Sequence, residues 1–197
     1  MTDWPRIAGE TPIDPSDIRD RSIKTRRQLN AAEAENIRKA VVKYFAARPG
    51  PRRAPFDYGW FCRLHAEMFG DVLLSAGQPR TRPLNLGVDW RQVPSMMMEL
   101  AATLASWREH QTYGLLEQAA RLHYHAVHIH PFLNGNGRWA RMLANIWLRR
   151  HSGKVVRWPE TLLGEVSPVR GEYISHLQAA DEGDFGPLLE FHRRFLR

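Results

Sequence analysis

The sequence is short of cysteine and of long apolar runs. Its single cysteine, Cys62, excludes an internal disulfide and fits a reducing compartment. Flanked by Phe61 and Leu64, this thiol is predicted to be a small core side chain rather than a nucleophile. No stretch approaches the roughly 20 apolar residues of a membrane span, and the N-terminus has no basic start followed by an apolar run. We therefore expect a cytoplasmic protein that does not associate with membranes.

Acidic residues are in the minority. The chain has 28 Lys and Arg against 21 Asp and Glu, which gives a net charge of +7, mostly from arginine, and a pI near 10.1. A basic chain suits acidic partners such as nucleotides or nucleic acid. However, the basic residues are scattered through predicted helices, so solvated helix faces explain them equally well. Without helix-turn-helix spacing or interleaved aromatic and basic residues, nucleic acid is not the expected partner.

Repeats and low-complexity tracts are missing as well, and 197 residues with 43% hydrophobic content predict one domain around one core. Residues 1–22 carry three prolines among charges without periodicity, so we interpret them as an extended N-terminal arm before a single domain, 23–197. The apolar spacing of that domain predicts an all-helical bundle. Helices are expected at 27–48, 57–69, 95–110, 115–129, 137–151, 167–182 and after Asp184. Residues 77–90, interrupted by Pro79, Pro83 and Gly87, are predicted to be irregular or strand-like.

The most informative segment is residues 130–141, with the sequence HPFLNGNGRWAR. Pro131 predicts that one helix ends near Ile129, and a second should begin after Gly137. Gly135 and Gly137 allow positive φ and leave no Cβ, so several backbone N–H groups can point at one anion beside a helix N-terminus. This loop therefore predicts a phosphate-binding turn.

Three side chains add chemistry to that turn. Arg138 and Arg141 are three residues apart and should lie on one helix face. His130 titrates near neutrality and could accept a proton from an incoming hydroxyl group. A plain helix-loop-helix connector would need neither the histidine nor the paired arginines.

The helix before the motif also carries His123, His125 and His128, which suggests a metal site with His130. At helical spacing His125 and His128 share one face, whereas His123 and His130 share another. Four ligands could converge only if the helix unwound. We therefore expect no metal there, and we expect His123 and His125 to be packed against neighbours or exposed.

The segment 130–141 resembles the signature of Fic proteins, His-x-Phe-x-(Asp or Glu)-Gly-Asn-Gly-Arg-x-x-Arg, from which Asn134 alone departs. Residues 75–87 are similar to the Fic flap, and residues 173–189 to the end of many Fic domains. The order of features, the short length and Asn134 together resemble the bacterial subgroup called mobile mystery protein B. The resemblance covers roughly residues 20 to 195. It implies a Fic-type helical bundle with a short β-hairpin flap.

The resemblance also implies an activity, namely transfer of AMP from ATP to a Ser, Thr or Tyr hydroxyl of a protein target. His130 would be the catalytic base. Gly137 stands where kinase-type relatives place Lys, which favours nucleotidyl transfer. The flap residues that would dock the target are Leu84, Asn85, Leu86 and Gly87. The residues that would bind the nucleotide are Phe132, Gly135, Asn136, Gly137, Arg138 and Arg141.

Asn134 stands where most Fic proteins place an acidic residue that holds Mg²⁺. Its amide carbonyl can coordinate a metal but adds no negative charge, so the affinity for Mg²⁺, or Mn²⁺, should fall unless the phosphates supply most ligands. Three interpretations follow: a transferase with a weak metal requirement, a transferase using another nucleotide or phosphate-containing donor, and a non-catalytic nucleotide- or nucleic-acid-binding interaction protein. Because family members are often encoded beside small regulatory proteins, an antitoxin-like partner is expected.

Many Fic proteins are inhibited by a glutamate in the pattern (Ser or Thr)-x-x-x-Glu-(Gly or Asn), which pairs with the second motif arginine. Glu35 and Asn36 fit the end of that pattern, but Ala31 stands where Ser or Thr is expected. Glu33 is a nearby alternative. An ordinary exposed glutamate, favoured by the helix dipole, is the competing interpretation.

Overall fold

A computed structural model describes residues 11–159 and 167–197, and these residues form seven α-helices. Each helix begins within about two residues of the predicted start, so the all-helical prediction is confirmed. None of the helices in the described ranges is long and apolar enough to cross a bilayer. The helices are α1 (Arg26–Phe45), α2 (Tyr58–Phe69), α3 (Val93–Glu109), α4 (Leu115–Ile129), α5 (Asn136–Ser152), α6 (Pro168–Asp181) and α7 (Gly186–Arg194).

Local capping explains where several helices begin. Thr25 and Gln28 form a capping box at the start of α1, in which the Thr25 hydroxyl accepts from the Gln28 N–H. Asp57 accepts from the Trp60 N–H at α2, and Ser167 accepts from the Arg170 N–H at α6. Side-chain oxygens thus replace intrahelical partners for the first-turn N–H groups at these helices.

The centre of the bundle is the pair α4 and α5, joined by the motif loop, residues 130–135. Helices α3 and α7 pack on α4, α1 packs on α2, and α6 packs on α7. Trp139 of α5 is completely buried, and its indole N–H donates to the carbonyl of Phe61 at 3.1 Å. The buried Trp139 thus ties the start of α5 to α2.

Residues 75–89, hereafter the flap segment, contain turns and bends but no paired strands. The predicted hairpin is therefore an irregular loop, and the pairings found among the described residues are two isolated bridges, Ile18 with Leu73 and Val156 with Leu196. Pro79 and Pro83 have no N–H to donate to a ladder. Instead, the buried Arg80 guanidinium holds the loop by donating to backbone carbonyls.

The described part of the N-terminal arm, residues 11–22, lies against the segment between α2 and the flap segment. Arg19 N–H donates to the Val72 carbonyl at 2.9 Å, and Leu74 N–H donates to the Asp17 carbonyl at 2.8 Å. Residues 1–10 lie outside the described ranges, and the boundary at residue 22 stays a prediction.

Candidate active site

His130 ends α4 in the left-handed region, with φ of 51°, and its ring is buried. An L-residue other than glycine seldom adopts this conformation, and such outliers cluster at functional sites. The pKa of His130 is lowered to about 4, mainly by burial and also by the nearby Arg80 charge, while a hydrogen bond with the Val127 backbone opposes the shift. The imidazole is therefore uncharged at neutral pH and able to accept a proton. Its Nε2 lies 3.0 Å from the hydroxyl oxygen of Thr11.

The motif loop is shaped by Asn136 and Gly135. Asn136 accepts from the Phe132 N–H at 2.9 Å and donates to the Phe132 carbonyl at 2.7 Å. Gly135 has φ of 78°, and a Cβ there would stand 2.7 Å from the ring of Phe69. Glycine is thus required at 135 both by conformation and by space. Gly137 does not need positive φ, contrary to prediction, because α5 begins one residue before it.

The N-terminus of α5 is open to an anion. Its N-cap is Gly135, which has no side chain to bond the first-turn N–H groups. Unpaired N–H groups and the helix dipole together favour a negatively charged ligand such as phosphate. Phe132, expected among the nucleotide-binding residues, is instead in the core, because its ring stacks on His65 at 3.7 Å and meets Trp139 edge-on at 5.1 Å.

Arg138 is occupied by a glutamate from α1. Its guanidinium donates through both terminal nitrogens to the carboxylate of Glu33, one bond measuring 3.0 Å. The Glu33 side chain is 1% exposed. Glu33 therefore reaches the first motif arginine rather than the second.

Glu35 points to solvent and pairs with Arg38, so the prediction that Glu35 reaches the motif is wrong. The reason is helical geometry. Residues 33 and 35 lie about 200° apart around an α-helix, so only one can face inward. Glu33 shares the buried face of α1 with Leu29, Asn36 and Ala40.

Arg141, one turn after Arg138, is buried, and burial lowers its pKa from the ordinary 12.5. Its guanidinium carbon lies 5.8 Å from the Tyr173 ring centroid, and it hydrogen-bonds the Tyr173 hydroxyl. Behind Tyr173, a polar chain runs through His123 (3.0 Å from the hydroxyl) to His192 (3.2 Å further on). Because His192 Nδ1 must donate to the Leu188 carbonyl, His123 Nδ1 donates to His192 and Tyr173 donates to His123. This order leaves the Tyr173 oxygen free to accept from Arg141.

The flap segment is clamped over His130 by Arg80, which sequence reasoning left without a role. Its Nε donates to the His130 carbonyl at 2.7 Å, and its Nη2 donates to the Val88 carbonyl. Gly87, with φ of 89°, lies so close that a Cβ there would stand 2.4 Å from the Cβ of His130. A single arginine in a loop has no periodicity that would reveal such contacts.

One cavity of about 2040 Å³ unites these groups. The flap side contributes Leu86 and Gly87, whereas Leu84 and Asn85 are absent from its lining. The predicted site residues that line it are His130, Asn134, Gly135, Asn136, Gly137, Arg138 and Arg141. A neutral histidine, an open helix N-terminus and two arginines thus face one space that is large enough for a nucleotide.

Comparison with known proteins agrees with this arrangement. The sequence model of the Fic/DOC family matches residues 55–148. Protein adenylyltransferase fic-1 of Caenorhabditis briggsae is 33% identical over 134 residues, which are 65% of this chain and 25% of that protein. The part of the chain that carries the motif is thus similar to the Fic/DOC family. Protein adenylyltransferase Fic of Drosophila erecta is 32% identical over 132 residues, again 65% of this chain and 25% of that protein. The chain thus spans about a quarter of the length of these relatives.

Solved Fic structures show the same fold. A fragment of Fic-1 from Caenorhabditis elegans superimposes with a TM-score of 0.67 at 25% identity, covering 88% of this chain and 50% of that one. BepC from Bartonella tribocorum, solved with bound AMPPNP, gives a TM-score of 0.68 at 18% identity, covering 98% and 96%. The prediction of a Fic-type helical bundle is therefore confirmed.

Asn134 makes two contacts, one through its backbone carbonyl and one through its side-chain oxygen. Its backbone carbonyl accepts from Nε2 of the buried His65 at 2.9 Å, while His65 Nδ1 accepts from the Gly77 N–H at 2.9 Å. Burial lowers the pKa of His65 to about 3, so the ring stays neutral and keeps one donor and one acceptor. His65 thereby joins the base of the flap segment to the motif loop.

The oxygen atoms around Asn134 do not form a site that would hold a metal ion in the absence of a nucleotide. Its Oδ1 accepts from the Gly135 N–H at 2.8 Å and carries no charge. Within residues 11–159 and 167–197, no group of three or more His, Cys, Asp or Glu side chains could hold a metal ion. Magnesium prefers several oxygen ligands with at least one carboxylate. One neutral amide oxygen therefore fits a cation only if that cation arrives with the phosphates of a nucleotide.

Proposed function

We propose that this chain transfers AMP from ATP to the hydroxyl group of a Ser, Thr or Tyr side chain of a protein. The observation that carries the proposal is the position of an uncharged histidine, His130, at the cavity that also holds the open N-terminus of α5. The adenylyltransferase names of the relatives and the AMPPNP bound to BepC support the same donor.

In this mechanism His130 Nε2 takes the hydroxyl proton as the acceptor oxygen attacks the α-phosphorus of ATP. The bond from that phosphorus to the bridging oxygen of the β-phosphate breaks, and diphosphate leaves. The first-turn N–H groups of α5 and the Arg138 guanidinium stabilise the negative charge on the leaving group. Arg141, held by Tyr173, binds the terminal phosphate.

We propose that Mg²⁺ or Mn²⁺ enters with the phosphates as part of the substrate. Asn134 would contribute one oxygen to its shell, as expected from the substitution of the usual acidic residue. The requirement for metal should therefore be weaker than in a relative with a carboxylate at this position.

We also propose that the resting protein is inhibited by Glu33. Its carboxylate occupies the donors of Arg138 that the departing diphosphate needs. A triphosphate, like this carboxylate, presents negatively charged oxygen atoms that accept hydrogen bonds from a guanidinium, so the two compete for Arg138. Anything that draws Glu33 away, including a small regulatory protein bound to α1, would raise activity. We place this regulation in the cytoplasm, where ATP and such a partner meet.

The proposal is tested with ATP labelled at the α-phosphate, Mg²⁺ or Mn²⁺, and cell lysate. Wild-type and Glu33→Gln proteins should label a protein, and His130→Ala should not. Labelling by a γ-phosphate label instead would identify phosphoryl transfer and contradict the proposal. A parallel series with CTP, GTP and UTP identifies the donor. A filter assay with random DNA at two salt concentrations tests the nucleic-acid alternative, because phosphate-driven binding weakens steeply with salt.

A further inference from the structure

The acceptor position of this site is filled by the chain itself. Thr11 Oγ1 lies 3.0 Å from His130 Nε2, which is the distance at which a general base receives a proton. Thr11 is 9% exposed and lines the same cavity as Gly135, Arg138 and Arg141. A hydroxyl group of the class that the proposed reaction consumes therefore touches the proposed base.

The direction of this hydrogen bond follows from the second contact of the ring. The imidazole also hydrogen-bonds the backbone of Val127, which precedes His130 in α4, and this bond favours the protonated ring. A backbone carbonyl accepts, so the ring nitrogen facing Val127 carries the hydrogen. Because His130 is neutral, its Nε2 has a free lone pair and Thr11 is the donor. The Thr11 hydrogen thus points along the path of proton abstraction.

Several contacts hold the arm in this place. Asp14 pairs with Arg82 of the flap segment at 3.2 Å. Asp17 accepts from the Ser75 N–H at 2.8 Å and from the Ser75 hydroxyl at 2.6 Å. The Ile18 side chain is buried, and its backbone forms a bridge with Leu73. Residues 14–18 are thus fixed along the segment that leads to the flap, which limits how far Thr11 can move from His130.

We propose that Thr11 is an intramolecular acceptor, so that the protein attaches AMP to its own N-terminal arm. This inference rests on the proposed function and names one substrate of it. In the reaction a bond forms between Thr11 Oγ1 and the α-phosphorus, the bond from that phosphorus to the β-phosphate oxygen breaks, the proton passes to His130 Nε2, and diphosphate leaves. No further reactant is needed.

The inhibitory pair explains why the hydroxyl can rest beside the base without reacting. Glu33 occupies Arg138, so the nucleotide lacks one of its phosphate partners while Thr11 is already in place. Release of Glu33 is then the step that allows self-modification.

The experiment uses the full chain carrying Glu33→Gln, incubated with ATP and Mg²⁺ or Mn²⁺, and locates AMP by tandem mass spectrometry. AMP is expected on Thr11. The label should disappear with Thr11→Val, which keeps the side-chain shape without the hydroxyl, and with His130→Ala. It should persist with Ser16→Ala, a matched control that removes an exposed hydroxyl from the same arm. Thr11→Ser should restore the label at position 11 and so excludes misfolding as the cause of its loss.

The rate distinguishes self-modification from modification of one copy by another. A reaction within one molecule has a rate constant independent of protein concentration, and His130→Ala protein mixed with the active form stays unlabelled. AMP on another residue or on a lysate protein, with Thr11 unmodified, would overturn the role of Thr11 and leave the proposed function intact. Bound ATP with no AMP on any protein would overturn both.

Discussion

The carboxylate of Glu33 and the guanidinium of Arg138 form a bidentate ion pair that joins the buried face of α1 to the first turn of α5. The pair thus joins α1 to the phosphate site proposed at the N-terminus of α5. Its carboxylate is sequestered from solvent, whereas Arg138 keeps 23% of its side chain exposed to the cavity. A triphosphate in the cavity can therefore reach Arg138 only in competition with Glu33.

Replacing Glu33 by glutamine should increase both nucleotide affinity and transfer. Glutamine keeps the shape and an oxygen acceptor but removes the negative charge that competes with the triphosphate. We expect ATP to bind at least about tenfold more tightly, or about 1.4 kcal/mol, by isothermal titration calorimetry. The lost charge-assisted bonds should cost about 1.5–3 kcal/mol of stability. Glu35→Gln is the matched control on the same helix, and a gain of equal size in that variant would rule out Glu33 as the inhibitor.

Asn134→Asp should strengthen metal-dependent turnover. The carboxylate can still accept from the Gly135 N–H, so the loop keeps its shape, and it adds the charge that a divalent cation prefers. The rate of AMP transfer should then saturate at lower Mg²⁺ concentration and reach a higher value. An unchanged dependence on Mg²⁺ would remove Asn134 from any account of metal use.

Gly135 in the motif loop and Gly137 in the first turn of α5 should respond differently to alanine. Gly135→Ala forces a Cβ against the ring of Phe69 and strains a positive φ, which alone costs about 1–3 kcal/mol. A Cβ at Gly137 meets only the Arg141 Nη1 atom at 3.7 Å, an ordinary contact. Thermal unfolding should therefore show a clear loss of stability for Gly135→Ala and little change, or a gain of about 0.5–1 kcal/mol, for Gly137→Ala. Equal losses would mean that the loop conformation differs from the one described.

Stability should fall below neutral pH because several histidines are buried uncharged. Burial lowers the pKa of His65 to about 3 and that of His192 to about 4, from an ordinary value of 6.5. Between these folded values and about pH 6.5 the unfolded chain binds more protons, so the free energy of unfolding rises with pH in this window and levels off above it. Urea unfolding from about pH 4 to pH 8 measures this dependence.

His65→Asn provides the control for that pH dependence. The amide oxygen can accept from the Gly77 N–H in place of Nδ1, but the amide does not titrate. The free energy of unfolding should therefore depend less steeply on pH, because protonation of His65 no longer contributes to the slope. A slope identical to that of the wild type would show that His65 does not stay neutral in the folded protein.

The sequence by itself determined the helices, their order and the position of the motif. Apolar spacing and Pro131 act over a few neighbouring residues, so their effect on the helices can be predicted from the chain alone. The motif identified His130 and the phosphate loop for the same reason, since its chemistry lies within twelve consecutive positions.

Only the tertiary structure decided which residues from distant segments meet this loop. The sequence pattern favours Glu35 over Glu33, whereas the packing of α1 selects Glu33 because its face is the buried one. Thr11, Arg80 and Tyr173 reach the site from three segments separated by long stretches of chain, and no local pattern records such encounters. Local structure follows from short-range sterics and hydrogen bonds, whereas the partners of a catalytic group depend on how segments distant in sequence pack together in the core.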